Sequence, residues 1–451
     1  MKGSFVKRGM LPFALGIACL VIALLPFHAF LTVFAASIMG HYTLFRLWKE
    51  FLVLIIGIWV IGLFIKEGEL RNKILTSKLT WAIAAYVVLD LVIGALAYSR
   101  HDVSGKALAY GLLDDLRFFA FFIICWAIAI KSSQFEKRWH KLVIWPAVIV
   151  VGFGLLQMSV LPANFLVHFG YGQNTIPPFE TINHNSHYVR ILSTLRGANP
   201  LGAYLLLPIS ALVVLLVRSP KVRTWPRVVL LIGALIVLIG SYSRAAWIGV
   251  VLSCLFIGLT LVRKQFIIRY KLQLSIVAII VLILGGSLAY AFHSSSKFQN
   301  IIYHTQAHSA SPISSDQAHL SALKSGLKAV SDHPFGIGPG TSGPASVYNH
   351  DRPASIPEDY FLEIGEETGW IGMALFVAIN AAVGYLLWQR RNSPFALTLL
   401  AAFIGITFVN LLSLAWTDDT LSYIWWGLAG VAMSLPASGA VKTKPRPAKS
   451  Q

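Results

Sequence analysis

The chain of 451 residues has little charge. Asp, Glu, Lys and Arg make up 12% of it, and only 19 residues are acidic against 37 that are basic. With 56% hydrophobic residues, a chain of this size cannot solvate its surface in water, which excludes a soluble globular fold. Cysteine is scarce as well. Cys19, Cys125 and Cys254 all fall inside apolar runs, which leaves neither a disulfide framework nor a thiolate metal site. The 13 histidines contain no H-E-x-x-H pattern. His184 and His187 in "HNSH", and His304 and His308 at i, i+4, give the nearest approach to a zinc site, and no metal or other cofactor is expected. Internal repeats are lacking, and so are low-complexity tracts beyond a basic tail.

What the sequence has in quantity is long apolar runs, each enough to cross a hydrocarbon core of about 30 Å. The predicted spans are 11–38, 45–66, 79–99, 111–131, 139–160, 199–217, 225–241, 244–262, 271–292, 368–389, 394–415 and 420–437. The first is long enough to tilt or to bend near Pro26. "MKGSFVKRGM" precedes a run too long for a signal-peptide core and reads as the lead into an uncleaved first span. The expected fold is therefore an all-α polytopic membrane protein of about 12 transmembrane helices with a partly helical extracytoplasmic loop. Residues 1–160 hold the first five helices, 161–198 an extracytoplasmic loop, and 199–292 helices six to nine. Residues 293–367 form a large extracytoplasmic loop carrying the catalytic helix, 368–437 the last three spans, and 438–451 a cytoplasmic tail.

The net charge of +18 is a topology signal. Lys and Arg collect in "KEGELRNKILTSK", "KSSQFEKRWHK", "RSPKVRTWPR", "RKQFIIRYK" and "KTKPRPAK", all on one side of the predicted membrane, while the acids gather on the other. By the positive-inside rule the basic side is cytoplasmic, and it suits anionic membrane lipids. No nucleic-acid partner is implied. The two long segments then face outward, where ordered loops carry sites. In the second, Leu320, Leu323, Leu327 and Val330 have the 3,4,3 spacing of an amphipathic helix, which Ser315 can cap and Pro334 stops. "FGIGPGTSGPAS" predicts a glycine-rich turn, and another helix is predicted to start near Pro357.

Basic residues on the outer side run against the charge bias and are informative for that reason. Arg100, Lys106 and Lys297 have the context of ordinary solvated charges. Arg244, in "GSYSRAAW", stands in a turn of a few residues between two spans, where a guanidinium is costly unless it is used. Arg190 and Arg196 lie at the start of span six, and Arg46 and Lys49 in "FRLWKE" at the start of span two. Together they form a predicted cationic cluster suited to phosphate or pyrophosphate. Among the acids of "SIPEDYFLEIGEETGW", Asp359, Glu363 and Glu366 share one helical face, and Glu358 points about 100° away as a candidate base. Glu366 and Glu367 lie beyond the reach of the helix-dipole preference and suit partners such as Arg190 or Arg352. His187 and His319 are candidates to line a polar cavity.

These residues resemble a family. "VRILSTLRGANPLGAYL" is similar to the Arg-x-x-x-Thr-x-x-x-x-Asn motif of the O-antigen ligase and polymerase superfamily, with Asn199 at its end. "SYSRAAW", which contains Tyr242, resembles its Ser-Arg-Gly/Ala motif. "SDHPFGIGPGTSG" resembles its glycine turn, and "EIGEETGWIGMALF" its Glu-x-Gly-x-x-Gly stretch. The resemblance implies a metal-independent, inverting membrane glycosyltransferase of the GT-C type. Such an enzyme moves a glycan from an undecaprenyl-pyrophosphate-linked oligosaccharide donor to a glycan or glycolipid acceptor hydroxyl, on the outer face of the cytoplasmic membrane. Arg190 matches its first arginine and Arg244 its second. Glu358 stands where the family carries a histidine base, followed by Asp359 in place of Asn. A carboxylate can serve as base for inversion; His319, His350 and Asp359 are the other candidates. Polymerase and ligase differ in acceptor alone. The competing reading is a transporter or flippase for lipid-linked glycans. It requires paired half-helices, repeats and ionisable groups near mid-membrane, and among the predicted spans only Asp90 is clearly such a group.

Overall fold

The computed structural model describes residues 3–182, 185–218, 224–261, 295 and 315–437. The predicted span 271–292, Lys297, His184, His304, His308 and the tail 438–451 lie outside the described residues. In chain order the helices are α1 (Gly3–Leu24), α2 (His28–Met39), α3 (Tyr42–Arg46), α4 (Trp48–Lys66), α5 (Gly68–Leu75), α6 (Lys78–Ser99), α7 (Gly105–Lys131) and α8 (Gln134–Ser159). A two-stranded antiparallel hairpin follows, β1 (Glu180–Ile182) and β2 (Asn185–Arg190). Then come α9 (Ala198–Arg218), α10 (Thr224–Gly240), α11 (Arg244–Leu261), α12 (Ser315–Asp332), α13 (Tyr360–Trp388), α14 (Pro394–Asn410) and α15 (Asp419–Ala432).

The expected all-α, polytopic character is present, but about 12 spans is too many. Seven helices among the described residues are long and apolar enough to cross a membrane: Leu11–Met39, Trp48–Lys66, Lys78–Ser99, Gln134–Ser159, Ala198–Arg218, Arg244–Leu261 and Tyr360–Trp388. The reasons for the shortfall are physical. The segment predicted at 111–131 sits in α7, which buries Asp114, Asp115 and Arg117. Those predicted at 225–241 and 394–415 form helices of 17 residues, about 25 Å long at 1.5 Å per residue. The one predicted at 420–437 forms 14 residues, about 21 Å. All three fall short of a core of about 30 Å.

A spanning helix apolar on every side satisfies protein on one face and lipid on the other. On α4, Val53, Ile56 and Val60 are buried while Leu54, Ile58, Ile61 and Ile65 are exposed. The same division runs along α6 and α11. Exposed apolar stripes of this extent make the chain a multi-pass membrane protein. Inside, α7 lies against α15, and Phe118, Phe119, Phe121 and Phe122 pack on Trp426 and Tyr423. A 3-10 turn at Leu25–Phe27, where Pro26 removes a backbone donor, separates α1 from α2.

The predicted glycine turn and the predicted Glu-x-Gly stretch meet. Gly369 has φ +71 and kinks α13, which frees the carbonyls of the preceding turn. Those carbonyls take new donors: Ile337 N–H donates to Glu366 O and Gly338 N–H to Glu367 O, both at 2.9 Å. Trp370 N–H in turn donates to Pro334 O at 3.0 Å. A Cβ on Gly369 or Gly336 would collide with the facing backbone. The Glu367 carboxylate continues the seam, accepting from Gly340 N at 2.7 Å and Ser342 N at 3.3 Å.

Candidate active site

β2 and the segment after it are anchored before they reach the site. Ile191 N–H donates to Gly240 O, Ser193 Oγ to Val150 O and Thr194 Oγ1 to Pro26 O. Ser193 carries φ +50, a left-handed conformation held by Gln157 Oε1 accepting from its N–H at 2.7 Å. Arg190 is thereby presented to the α10–α11 turn. Its Nε donates to Ser241 O at 2.9 Å, its Nη2 to Asn199 Oδ1 at 2.5 Å, and its Nη1 lies 3.3 Å from Glu180 Oε2. Glu180 also accepts from Ala198 N–H at 3.2 Å, the first residue of α9, so one carboxylate joins the hairpin, the arginine and a helix start. Burial pushes the Arg190 guanidinium below its ordinary value; Glu180 opposes that shift and Arg244 adds to it.

Arg244 is the first residue of α11, where a cation runs against the helix dipole. Tyr242, just before it, has φ +50. The only other positive-φ residue among the predicted site residues is Glu358, at φ +57. Left-handed backbone at a non-glycine residue costs of order 1–3 kcal/mol and gathers at functional sites. Glu358 is therefore outside the helix in which the sequence reading placed it. The helix begins at Tyr360, and Asp359 is its cap, accepting from Leu362 N–H at 3.0 Å. Burial pushes the Asp359 carboxyl above its ordinary value, opposed by those backbone donors.

Two adjoining cavities hold these residues. The larger, of about 560 Å³, is lined by Arg190, Tyr242 and Arg244. The smaller, of about 260 Å³, is lined by Arg196, Thr417 and Asp418. Asn199, His319, Glu358, Leu412 and Ser413 line both. His319 comes from α12, which forms where the sequence spacing predicted it, although Leu320 and Leu327 of the predicted stripe are exposed and Val330 alone is fully buried. Its Nδ1 lies in direct contact with Glu358 Oε2. Arg196 Nε lies 3.4 Å from Asp418 Oδ2, and burial pushes Asp418 above its ordinary value while Arg196 opposes the shift.

Thus Arg190, Arg196, Asn199, Tyr242, Arg244, His319 and Glu358 come together. Arg46, Lys49, Arg352 and Asp359 do not join the cavity linings. Arg46 stands over the Tyr110 ring at 5.5 Å. Lys49 is wholly buried, 2.9 Å from Asp419 and 3.0 Å from Glu50. Arg352 pairs with Asp102 at 2.5 Å. Glu366 accepts from Ser342 and Ser355 hydroxyls, both at 2.9 Å, rather than from an arginine. The His187 side chain lies outside the described residues. Glu180 and Asp418 are the additions that the sequence reading missed. Each is a carboxylate that falls beside a predicted arginine only after folding. Among the described residues no group of three or more His, Cys, Asp or Glu side chains is arranged to hold a metal ion.

The family model described as O-antigen ligase matches residues 228–377. That part of the chain carries the Arg244 turn, the glycine turn and the Glu-x-Gly stretch, so the resemblance holds there; the Arg190 motif lies before it. The match supports an enzymatic role, that of a membrane glycosyltransferase or ligase. No curated protein matches the chain.

Proposed function

We propose that the protein transfers a glycan from an undecaprenyl-pyrophosphate carrier to an acceptor hydroxyl with inversion, at the outer face of the cytoplasmic membrane. The observation that carries this reading is the continuity of the two cavities across the Glu358–His319 pair. Arg190 and Arg244 line the larger one and suit the pyrophosphate, whose developing charge they would stabilise as it leaves. The smaller one has Arg196 offset by Asp418 and suits a neutral sugar hydroxyl. A basic group for that hydroxyl would come from the shared wall. Clamping by guanidinium groups asks for no metal at the leaving group. The basic loops assigned to the inside support the orientation.

The test is incubation of the purified protein in lipid vesicles with a lipid-pyrophosphate oligosaccharide, with and without an added glycolipid. Extension of the oligosaccharide identifies a polymerase, and transfer to the glycolipid a ligase. Carrier that binds yet is moved across the bilayer without any new glycosidic bond would replace this reading with the transporter.

A further inference from the structure

Transfer to a hydroxyl requires an atom that accepts its proton. Of the residues that line both cavities, His319 and Glu358 are the candidates, and the contact between them ranks the two. The Glu358 carboxylate faces Nδ1 of His319. A neutral imidazole carries one N–H, and a carboxylate at Nδ1 draws that hydrogen to Nδ1. The lone pair is then on Nε2. The contact engages Glu358 Oε2 and leaves the ring nitrogen on the far side to accept. Glu358 stands in a left-handed backbone between Pro357 and the cap residue Asp359, so the chain fixes the place of its Cα. The seat of α12 is fixed too. Gly326 lets the helix approach Pro357 so closely that an added Cβ would lie 3.0 Å from the proline Cβ, and Val330 is buried against Gly365 of α13.

We infer that His319, through Nε2, is the catalytic base for the acceptor hydroxyl, and that Glu358 is its positioning residue rather than the base itself. The inference rests on the transferase reading above. In the step, the acceptor O–H proton passes to Nε2 and the oxygen bonds to the anomeric carbon. The bond from that carbon to the carrier oxygen breaks, and its electron pair leaves on the pyrophosphate beside Arg190 and Arg244. The imidazolium, stabilised by Glu358, then returns its proton to water. The other charged groups on the cavity walls are Arg190, Arg196, Arg244 and Asp418, from β2, the segment before α9, α11 and the residue before α15. The orienting carboxylate thus comes from the turn before α13, and the imidazole from α12.

The experiment compares His319→Gln, Glu358→Gln and Glu358→Asp in the vesicle assay. Loss of a general base costs about 10²- to 10⁴-fold. His319→Gln is expected to lose that much in kcat with KM little changed. Glu358→Gln should lose less, and Glu358→Asp should recover most of the difference. Equal or greater loss in Glu358→Gln, or a nearly active His319→Gln, overturns the assignment. A second measurement does not depend on turnover. In protein with ¹⁵N-labelled histidine, with His319→Gln for assignment, His319 should show the Nδ1–H tautomer, and Glu358→Gln should abolish that bias. An Nε2–H tautomer in the unaltered protein overturns the inference even if transfer proceeds. Absence of transfer in the unaltered protein counts against the proposed function, and the tautomer still decides the arrangement of the pair.

Discussion

Two regions of the molecule concentrate charge and hold it differently. In the cleft, Arg190, Arg196, Arg244, Glu358 and His319 border open volume, and the side chains of the His319–Glu358 pair are 39% and 38% exposed. Around Asp419 there is protein on every side. Its carboxylate meets Lys49 at 2.9 Å, His28 at 3.3 Å and Arg117, while Arg117 also reaches Asp114 at 2.9 Å and donates to Thr417 O at 2.8 Å. Trp48 donates to the far nitrogen of His28 at 2.9 Å, so the ring is used on both sides. Charge paired within the protein ties α2, α4, α7 and α15 together. Charge beside a cavity can be completed by a ligand. Lys49 shows the difference best: by residue type it belonged with the cleft arginines, and by burial it belongs to the Asp419 network.

That contrast can be broken first at Asp419. Asp419→Ala removes the shared anion and leaves the buried Lys49 and Arg117 with Glu50 and Asp114 as their anionic partners. Breaking one partner out of a buried ion cluster costs about 3–5 kcal/mol. A large fall in the thermal midpoint in detergent is expected, with activity lost along with the fold. A variant as stable as the unaltered protein would show that the network is not what joins these helices.

Arg244→Ala should do the opposite. The protein should insert and melt as before, while kcat falls about 10²- to 10³-fold, the usual cost of one transition-state donor, or about 2.7–4 kcal/mol. Arg190→Ala should match it in activity. Normal polymer length and yield in both variants would sink the pyrophosphate clamp. A fall in melting temperature as large as that of Asp419→Ala would erase the distinction between the two regions.

How much of this was legible in the sequence follows the same division. The helix over Ser315–Asp332, the glycine turn and the gathering of Arg190, Arg196 and Arg244 along adjoining cavities were legible because spacing, φ demands and charge out of place are local properties. The span count was not. Hydropathy marks apolar segments, but it does not say that 225–241 and 394–415 stop as helices of 17 residues, or that α7 spends its polar face on a buried network. Asp114, Asp115 and Arg117 in an apolar run were the available signal, since charges there need partners. Asp114 and Arg117 pair with each other at i, i+3, but Asp419, which completes the network, lies on a distant helix, as Glu358 lies distant from His319, and no spacing rule reaches that far.

The smallest expected effect is at Glu180. Its carboxylate is 36% exposed, yet it touches both the Arg190 guanidinium and the first amide of α9. Glu180→Gln keeps an oxygen for the amide and removes the charge opposite Arg190. The helix start should survive, so the melting temperature should barely move. Arg190 would keep Ser241 O and Asn199 as acceptors but lose the partner that fixes its Nη1. A charge-assisted bond weakened by solvent exposure is worth about 1.4 kcal/mol, or roughly tenfold in kcat/KM. Single-turnover transfer with saturating carrier separates the outcomes. A tenfold loss with unchanged stability makes Glu180 a positioning residue of the cleft. A loss of stability without any loss of rate makes it a helix cap that happens to lie beside an arginine.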